Sequence, residues 1–365
     1  MDALTAARAE LDHAVTDGRV IGYVCGIRES GGSQIVAGGV HELGGRSVAE
    51  DAVFALSSTT KPLGGMLATA LLERGVLELD APVEPLLPEL ASPRVLARPD
   101  GPLDDTVPAD RPITLRHLLA MTAGFGWVGD NPALGEAMSE SGVGPGPYAP
   151  SIPPETYLQR LAALPLASHP GDRWWYHTSS DVLGVLLARA TGSGVAALME
   201  EYVTGPLGLE DTAFIADPSR MPTCYGAGQD GEPTALSTAE RFASPPVFES
   251  LACGLASTVG DYLTFLDALV HGGPVLTEAG ARLLATDQLT DSQRGATHDM
   301  LGPGCGYGFG VEVRPDGAVG WAGGLGSIGY VDRRRGRSAA VFVTQSFDVP
   351  GTQEALDQVW RLLQV

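Results

Sequence analysis

One serine and one lysine, three residues apart, carry the chemistry most directly open to this chain. They stand in the stretch Phe54-Ala55-Leu56-Ser57-Ser58-Thr59-Thr60-Lys61-Pro62-Leu63. Lys61 is the only lysine among 365 residues; the other 22 basic residues are arginines. Arginine stays protonated at any working pH, whereas a buried lysine can give up its proton and act as a base. Positions i and i+3 of a helix share a face, so the Lys61 amine can reach the Ser58 hydroxyl. A hydroxyl is a weak nucleophile until a neighbouring base takes its proton. Ser-x-x-Lys also arises by chance, so its weight depends on partners elsewhere in the chain.

A serine nucleophile needs a further group, because the leaving group must be protonated. A tyrosine whose phenolate is stabilised by a nearby ammonium can do this work. Tyr176 has the most suitable context of the nine tyrosines. It lies in Gly171-Asp172-Arg173-Trp174-Trp175-Tyr176-His177-Thr178-Ser179-Ser180-Asp181-Val182-Leu183-Gly184, a polar turn that runs into an apolar helix.

These residues need elements to hold them. Leu4, Ala7, Leu11 and Val15 have the spacing of an amphipathic helix over 2–17. Val20 to Ile27 and Ser33 to Val40 read as paired strands around a Glu29–Gly32 turn. The apolar run 52–56 ends at Ser57-Ser58, and helical periodicity resumes from Leu63 to Arg74. Ser58 then falls at the first turn of a helix, where free N–H groups and the helix dipole favour developing negative charge. Residues 75–112 are rich in Pro, Asp and Leu, with a surface loop expected from Arg98 to Asp105, and Thr114 opens a helix stopped at Gly124. Residues 126–154, rich in Gly and Pro, read as a long loop that walls or covers a pocket. Helices are expected over 155–164, 179–191 and 194–203. Strands return at 309–313, 319–321, 328–332 and 339–344, and a helix over 352–363 closes the chain. Strands at both ends and helices between them predict an α+β fold. The expected division is a sheet domain of residues 1–61 and 250–365, and a mainly helical lobe of residues 62–249, with the active site between them.

A formal net charge of −21 argues against nucleic acid and anionic membranes, which call for a basic face. No run of eighteen apolar residues is present, and the N-terminal residues carry no basic segment followed by an apolar one. Cys25, Cys224, Cys253 and Cys305 lack both metal-ligand spacing and C-x-x-C pairing. Reduced, structural thiols and a cytoplasmic location are expected. No metal and no cofactor is implied.

Ordered along the chain, several stretches now resemble the serine β-lactamase and penicillin-binding-protein superfamily, most closely its class C branch and the related family VIII carboxylesterases. Ser58-Thr59-Thr60-Lys61 looks like the first box of that family. The stretch from Ile113 to Gly124 is similar to its "LLxHTSG" helix end, and Tyr176-His177-Thr178 to its Tyr-x-Asn box. Gly205 to Thr212 resembles "PLGMxDT", and Gly254 to Asp261 resembles "GLxSTxxD". Trp321-Ala322-Gly323-Gly324 looks like the third box. The resemblance implies a β-lactamase/transpeptidase-like fold with an antiparallel sheet flanked by helices. It implies that Ser58 is acylated and that Lys61 and Tyr176 share the acid and base work, with their order open. The implied oxyanion hole is the backbone N–H of Ser58 and of Gly324.

Two departures shape the substrate expectation. Members that bind a substrate carboxylate usually keep Lys-Thr-Gly in the third box, where this chain has Trp321, Ala322 and Gly323. Thr178 stands where an asparagine would hold an amide side chain, and it offers a single hydroxyl. Both favour esters over lactams and peptides. Trp127 and Tyr148, in the long loop, are candidates to line the substrate pocket with Thr178, Trp321, Ala322 and Gly323. His177 is an alternative general base, and His117 reads as a capping or packing residue. Trp174 and Trp175 suit core and pocket wall equally. Arg333-Arg334-Arg335 reads as a solvated turn.

The function expected is that of a serine hydrolase or acyltransferase acting on a small-molecule ester or thioester through an acyl-Ser58 intermediate. The alternatives are a β-lactamase or D-amino-acid peptidase, and a non-hydrolytic biosynthetic or binding use of the fold. The expected partner is a small-molecule acyl substrate. Nothing in the sequence sets the oligomeric state.

Overall fold

The computed structural model describes residues 2–30, 32–294 and 300–365. Helix α1 (Ala3–Thr16) starts at Asp2, whose carboxylate accepts the Thr5 N–H at 2.8 Å. That bond satisfies one of the free donors of the first turn. The helix buries Leu4, Ala7, Leu11 and Ala14. Strand β1 (Gly22–Glu29) follows, then β2 (Gly32–Gly39).

Strand β1 does not end its sheet at the N-terminal hairpin. It pairs antiparallel with the last strand of the chain, with Cys25 opposite Val341. The far strands are β3 (Gly306–Tyr307), β4 (Glu312–Val313), β5 (Ala318–Gly323), β6 (Ser327–Asp332) and β7 (Arg337–Val343). Their order across the seven-stranded sheet is β2-β1-β7-β6-β5-β4-β3, with every neighbouring pair antiparallel. One face is covered by α1 and the closing helix Thr352–Leu363, through Leu4, Leu11, Tyr23, Leu356 and Val359. The other meets the helix Val259–His271, and its core continues through Leu63, Leu67, Leu118, Val182 and Phe265. Burial on both faces explains why β1 is buried from Gly22 to Ile27 and shows no alternation.

Helix α2 (Thr60–Glu73) is buried from Thr60 through Leu71, Lys61 included. Its polar residues are satisfied locally: Thr69 Oγ1 donates to the Gly65 carbonyl at 2.8 Å, and Thr60 Oγ1 accepts from the Leu255 N–H at 3.2 Å. Helix α3 (Leu115–Leu119) is capped reciprocally by Thr114 and His117, as a capping role for His117 predicts.

Several sequence expectations need correction. The 126–154 segment contains a helix, α4 (Pro132–Glu140). Only Leu134 and Met138 of it are buried, too few to give a clear period, and it is organised instead by Asn131. The Asn131 Oδ1 accepts the Leu134 N–H, and its Nδ2 donates to the carbonyls of Pro99 and Gly101 at 3.0 Å each. The loop expected at 98–105 is present and joins a two-stranded ribbon of Arg94–Leu96 with Thr106–Pro108, which the sequence pattern does not mark. The strand expected at 309–313 shrinks to Glu312–Val313, because the Phe309 N–H bonds to the Leu284 carbonyl and Gly310 turns the chain at φ +81. The helix expected over 194–203 passes after Met199 into a π-turn, Glu200–Thr204. The helices α5 (Pro154–Ala162) and α6 (Thr178–Thr191) fall close to their expected places.

Among the described residues no single helix is long and apolar enough to cross a membrane, and no cluster of His, Cys, Asp or Glu could hold a metal ion. The four cysteines are free and buried.

Candidate active site

The turn that carries Ser58 is built from strain and close packing. The short strand Phe54–Ala55 runs into a 3₁₀ turn, Ser57–Thr59, with Ser57 in the left-handed region at φ +47. Such a backbone costs energy for a residue with a Cβ and needs surrounding contacts to hold it. Here the Leu56 carbonyl accepts from Thr59 Oγ1 and from Ser327 Oγ, both at 2.7 Å, which ties the turn to β6. Gly323 at the end of β5 lets this happen. A Cβ there would overlap the Leu56 carbonyl and the Ser327 hydroxyl and lie 3.2 Å from the Ser58 nitrogen.

Ser58 and Lys61 meet as their spacing predicts. Lys61 Nζ lies 2.9 Å from Ser58 Oγ, and the amine is only 1% exposed as part of its residue. It also donates to the Ala252 carbonyl at 2.7 Å and approaches His177 Nδ1 at 3.4 Å. The end of α3 sets the third group. The Met121 carbonyl accepts the Trp175 N–H at 2.7 Å, and Met121 Sδ accepts the His177 N–H at 3.2 Å. Tyr176 is thereby held over the lysine, with Lys61 Nζ 4.5 Å from its ring centroid. The amine thus faces the ring of Tyr176. The phenol oxygen accepts the Trp321 indole N–H at 2.7 Å. With one lone pair taken by the indole, the phenol keeps its own O–H for another partner.

Trp321, Ala322 and Gly324 line a cavity of about 360 Å³ with Ser58, Tyr176, His177 and Trp127. Its remaining wall is largely apolar, with Pro147, Met300, Tyr330 and Phe347. The Glu312 carboxylate at its edge is already engaged by the Tyr330 hydroxyl at 2.8 Å and by Arg314 at 3.1 Å. Gly324 is open on its Cα side, and its carbonyl is fixed by the Phe347 N–H at 3.0 Å.

The structure does not bring every candidate to this cavity. Thr178 is 0% exposed, begins α6 and lies outside the cavity wall. Tyr148 lines a neighbouring hollow of about 200 Å³ that shares only Pro147 with the first. Its hydroxyl pairs with Thr238 at 3.0 Å, and its ring lies under the Arg241 guanidinium. Gly323 acts through close backbone contact. Trp127 reaches the cavity while 54% exposed. Trp174 and Trp175 are core: Trp174 stacks on Tyr176 at 5.5 Å, and Trp175 Nε1 donates to Ser168 Oγ at 2.8 Å.

Three contributors were not singled out by sequence. The Ala252 carbonyl is a backbone acceptor and leaves no residue-type signal. Ser250 and Asp181 sit behind the lysine, with Ser250 Oγ donating to Asp181 Oδ1 at 2.5 Å. A carboxylate among the apolar residues of α6, four after His177, was the signal available for Asp181.

The sequence pattern of the beta-lactamase family matches residues 7–364. Esterase EstB of Burkholderia gladioli is 32% identical over 95% of this chain and 92% of its own. Acyltransferase calJ of Penicillium decumbens is 28% identical, covering 83% of this chain and 78% of its own. Among solved structures, EstCE1, described as a hydrolase with promiscuous acyltransferase activity, superimposes with a TM-score of 0.85 at 25% identity. That likeness covers 100% of this chain and 98% of EstCE1. The chain therefore belongs to the beta-lactamase family, in the part of it that holds esterases and acyltransferases.

Proposed function

We propose that this chain moves the acyl group of a small carboxylic ester through an acyl-Ser58 intermediate. The observation that carries the reading is the 2.9 Å contact between the chain's single lysine and Ser58, next to a third box that opens with Trp321. In its neutral form Lys61 takes the Ser58 proton as the Oγ–C bond forms. The tetrahedral oxyanion lies against the N–H groups of Ser58 and Gly324, two preorganised donors of the kind that contribute several kcal/mol to acyl transfer. Tyr176 passes its phenolic proton to the departing alkoxide, which leaves a phenolate held by the Trp321 indole N–H and a protonated Lys61. Water or an alcohol then attacks the acyl-enzyme by the reverse route, so hydrolysis and transfer share every group named.

The cavity supports a neutral, compact acyl group. Its volume is near the low end of small-molecule pockets, roughly 300–1,000 Å³. Trp321 stands where a lysine would meet a carboxylate, and buried Thr178 offers nothing to a substrate amide. Four free, buried thiols support a reducing, cytoplasmic setting.

Initial rates separate this reading from a lactamase or D-amino-acid amidase. We expect p-nitrophenyl acetate or butyrate to exceed nitrocefin and D-alanine p-nitroanilide in kcat/KM by about 100-fold, the scale on which an apolar pocket rejects an added polar group. Equal or faster turnover of nitrocefin or the anilide would reverse the assignment.

A further inference from the structure

Lys61 closes a buried ring of polar groups, hydrogen-bonded except where His177 faces Asp181, that acyl transfer as described leaves unused. Its amine lies 3.4 Å from His177 Nδ1, and His177 Nε2 lies 3.8 Å from Asp181 Oδ2. Asp181 Oδ1 accepts from Ser250 Oγ at 2.5 Å. Ser250 Oγ in turn accepts the N–H groups of Ala252 and Cys253 at 3.1 Å each. The Ala252 carbonyl returns to Lys61 at 2.7 Å. All five residues are buried. His177 also holds φ +90, a costly backbone for a residue with a side chain, and one that persists only where the surroundings fix it.

Counting donors shows what the ring does. A neutral amine has two N–H groups and one lone pair. Its three neighbours are Ser58 Oγ, the Ala252 carbonyl and His177 Nδ1. The carbonyl can only accept. If Nδ1 also accepts, both N–H groups are committed and the lone pair is left for the Ser58 proton. If Nδ1 carried the imidazole proton, the lone pair would be taken by His177 and the base would be idle. A neutral imidazole places its proton according to its partners. The Asp181 carboxylate faces Nε2 and favours the proton there. Burial pushes the Asp181 carboxyl up to about 6, and the hydrogen bond that it accepts from Ser250 Oγ works against that shift. Burial holds His177 well below its ordinary value, so the imidazole stays neutral beside an uncharged amine.

We propose that His177 and Asp181 are positioning residues: Asp181 sets the imidazole tautomer, and His177 Nδ1 holds one amine N–H so that the Lys61 lone pair points at Ser58. After proton transfer the ammonium has three N–H groups and the same three acceptors, so the product state needs no rearrangement. The proposal rests on Lys61 acting as the base.

The test is the acylation rate with p-nitrophenyl acetate. Asp181→Asn keeps the shape, but its amide can donate to Nε2 and move the imidazole proton to Nδ1. This variant is expected to lose roughly 10- to 100-fold in kcat with KM changed less than about 3-fold, the scale typical of losing a supporting partner of a first-contact group. His177→Ala is expected to lose a similar factor. His177→Asn places an amide oxygen near the Nδ1 position, and should recover most of that loss. In the His177→Asn background, adding Asp181→Asn should have little further effect, because no tautomer remains to set. This non-additivity is the signature that a packing role would not produce. If Asp181→Asn does not fold by circular dichroism, the comparison of His177→Ala with His177→Asn decides. Acylation by Asp181→Asn or His177→Ala within about 3-fold of the parent, or a change confined to KM, overturns the proposal. Failure of the unmodified chain to form an adduct on Ser58 would instead overturn the reading of the site.

Discussion

Lys61→Arg should leave a folded protein that hardly acylates, with kcat/KM for p-nitrophenyl acetate lower by about 1,000-fold, or roughly 4 kcal/mol of transition-state stabilisation. The substitution keeps the positive charge, so a purely electrostatic role would survive it in part. It removes the one property that separates lysine from the 22 arginines, the ability to give up a proton and take one back. Geometry works in the same direction. The site holds a compact amine between Ser58 Oγ, the Ala252 carbonyl and His177, with Tyr176 4.5 Å away over its ring. A planar guanidinium cannot direct a lone pair at Ser58. Initial rates with a matched thermal melt check this, and a folded variant retaining more than about a tenth of the parent activity would exclude Lys61 as the base.

Gly65→Ala should destabilise the protein by roughly 3 kcal/mol, the upper part of the range for overpacking. Helix propensity alone says the opposite, since alanine is favoured over glycine inside a helix by up to about 1 kcal/mol. The difference is the neighbour. A Cβ on Gly65 would overlap the Phe309 carbonyl oxygen and lie 2.8 Å from its carbon, and backbone cannot move aside as a side chain can. The contact is mutual, because Gly310, at φ +81, packs against the Lys61 carbonyl. The helix that carries the lysine thus seats directly on the chain between the 306–307 and 312–313 strands. Gly64→Ala is the control: its Cβ would meet only the Leu251 side chain, at 3.2 Å and beyond. Urea unfolding should place Gly64→Ala near the parent and Gly65→Ala well below it. An unchanged midpoint for Gly65→Ala would mean that the close approach does not hold in solution.

How far the site could be read in advance follows from what kind of atom does each job. The roles proposed for Ser58, Lys61 and Tyr176 use side chains whose types are specific to the chemistry, and the three are found together. Trp321 was recognised as a substituted third box, but its donation to the Tyr176 oxygen could not be read from sequence, because it depends on the register of β5 beside a distant turn. The Ala252 carbonyl is invisible to residue type. His177 was weighed as a replacement base, and the structure sets it beside the lysine with its other nitrogen toward Asp181. Thr178 holds a box position but not a pocket position. One residue after His177 the chain enters α6, and the side chain is buried. Tyr148 was correctly placed in a pocket-forming loop but faces the adjacent hollow.

The fold shows the same division. Strands with strong β-branched character and the amphipathic closing helix were legible, the latter to its end residues. Helix α4 was not, because an asparagine side chain organises its start and few apolar residues mark its face. The loss of pairing at 309–311 follows from a glycine turn and a bond to the distant Leu284 carbonyl, which local pattern does not encode.

The central claim, acylation of Ser58, is tested most directly by intact mass spectrometry. The protein is mixed briefly with p-nitrophenyl butyrate, or for longer with a fluorophosphonate, and then digested. The account predicts a mass gain of one acyl or phosphonyl group, mapped to the peptide containing Ser58 and absent in Ser58→Ala. An adduct on another residue, or ester turnover by Ser58→Ala at a rate near that of the parent, would contradict it.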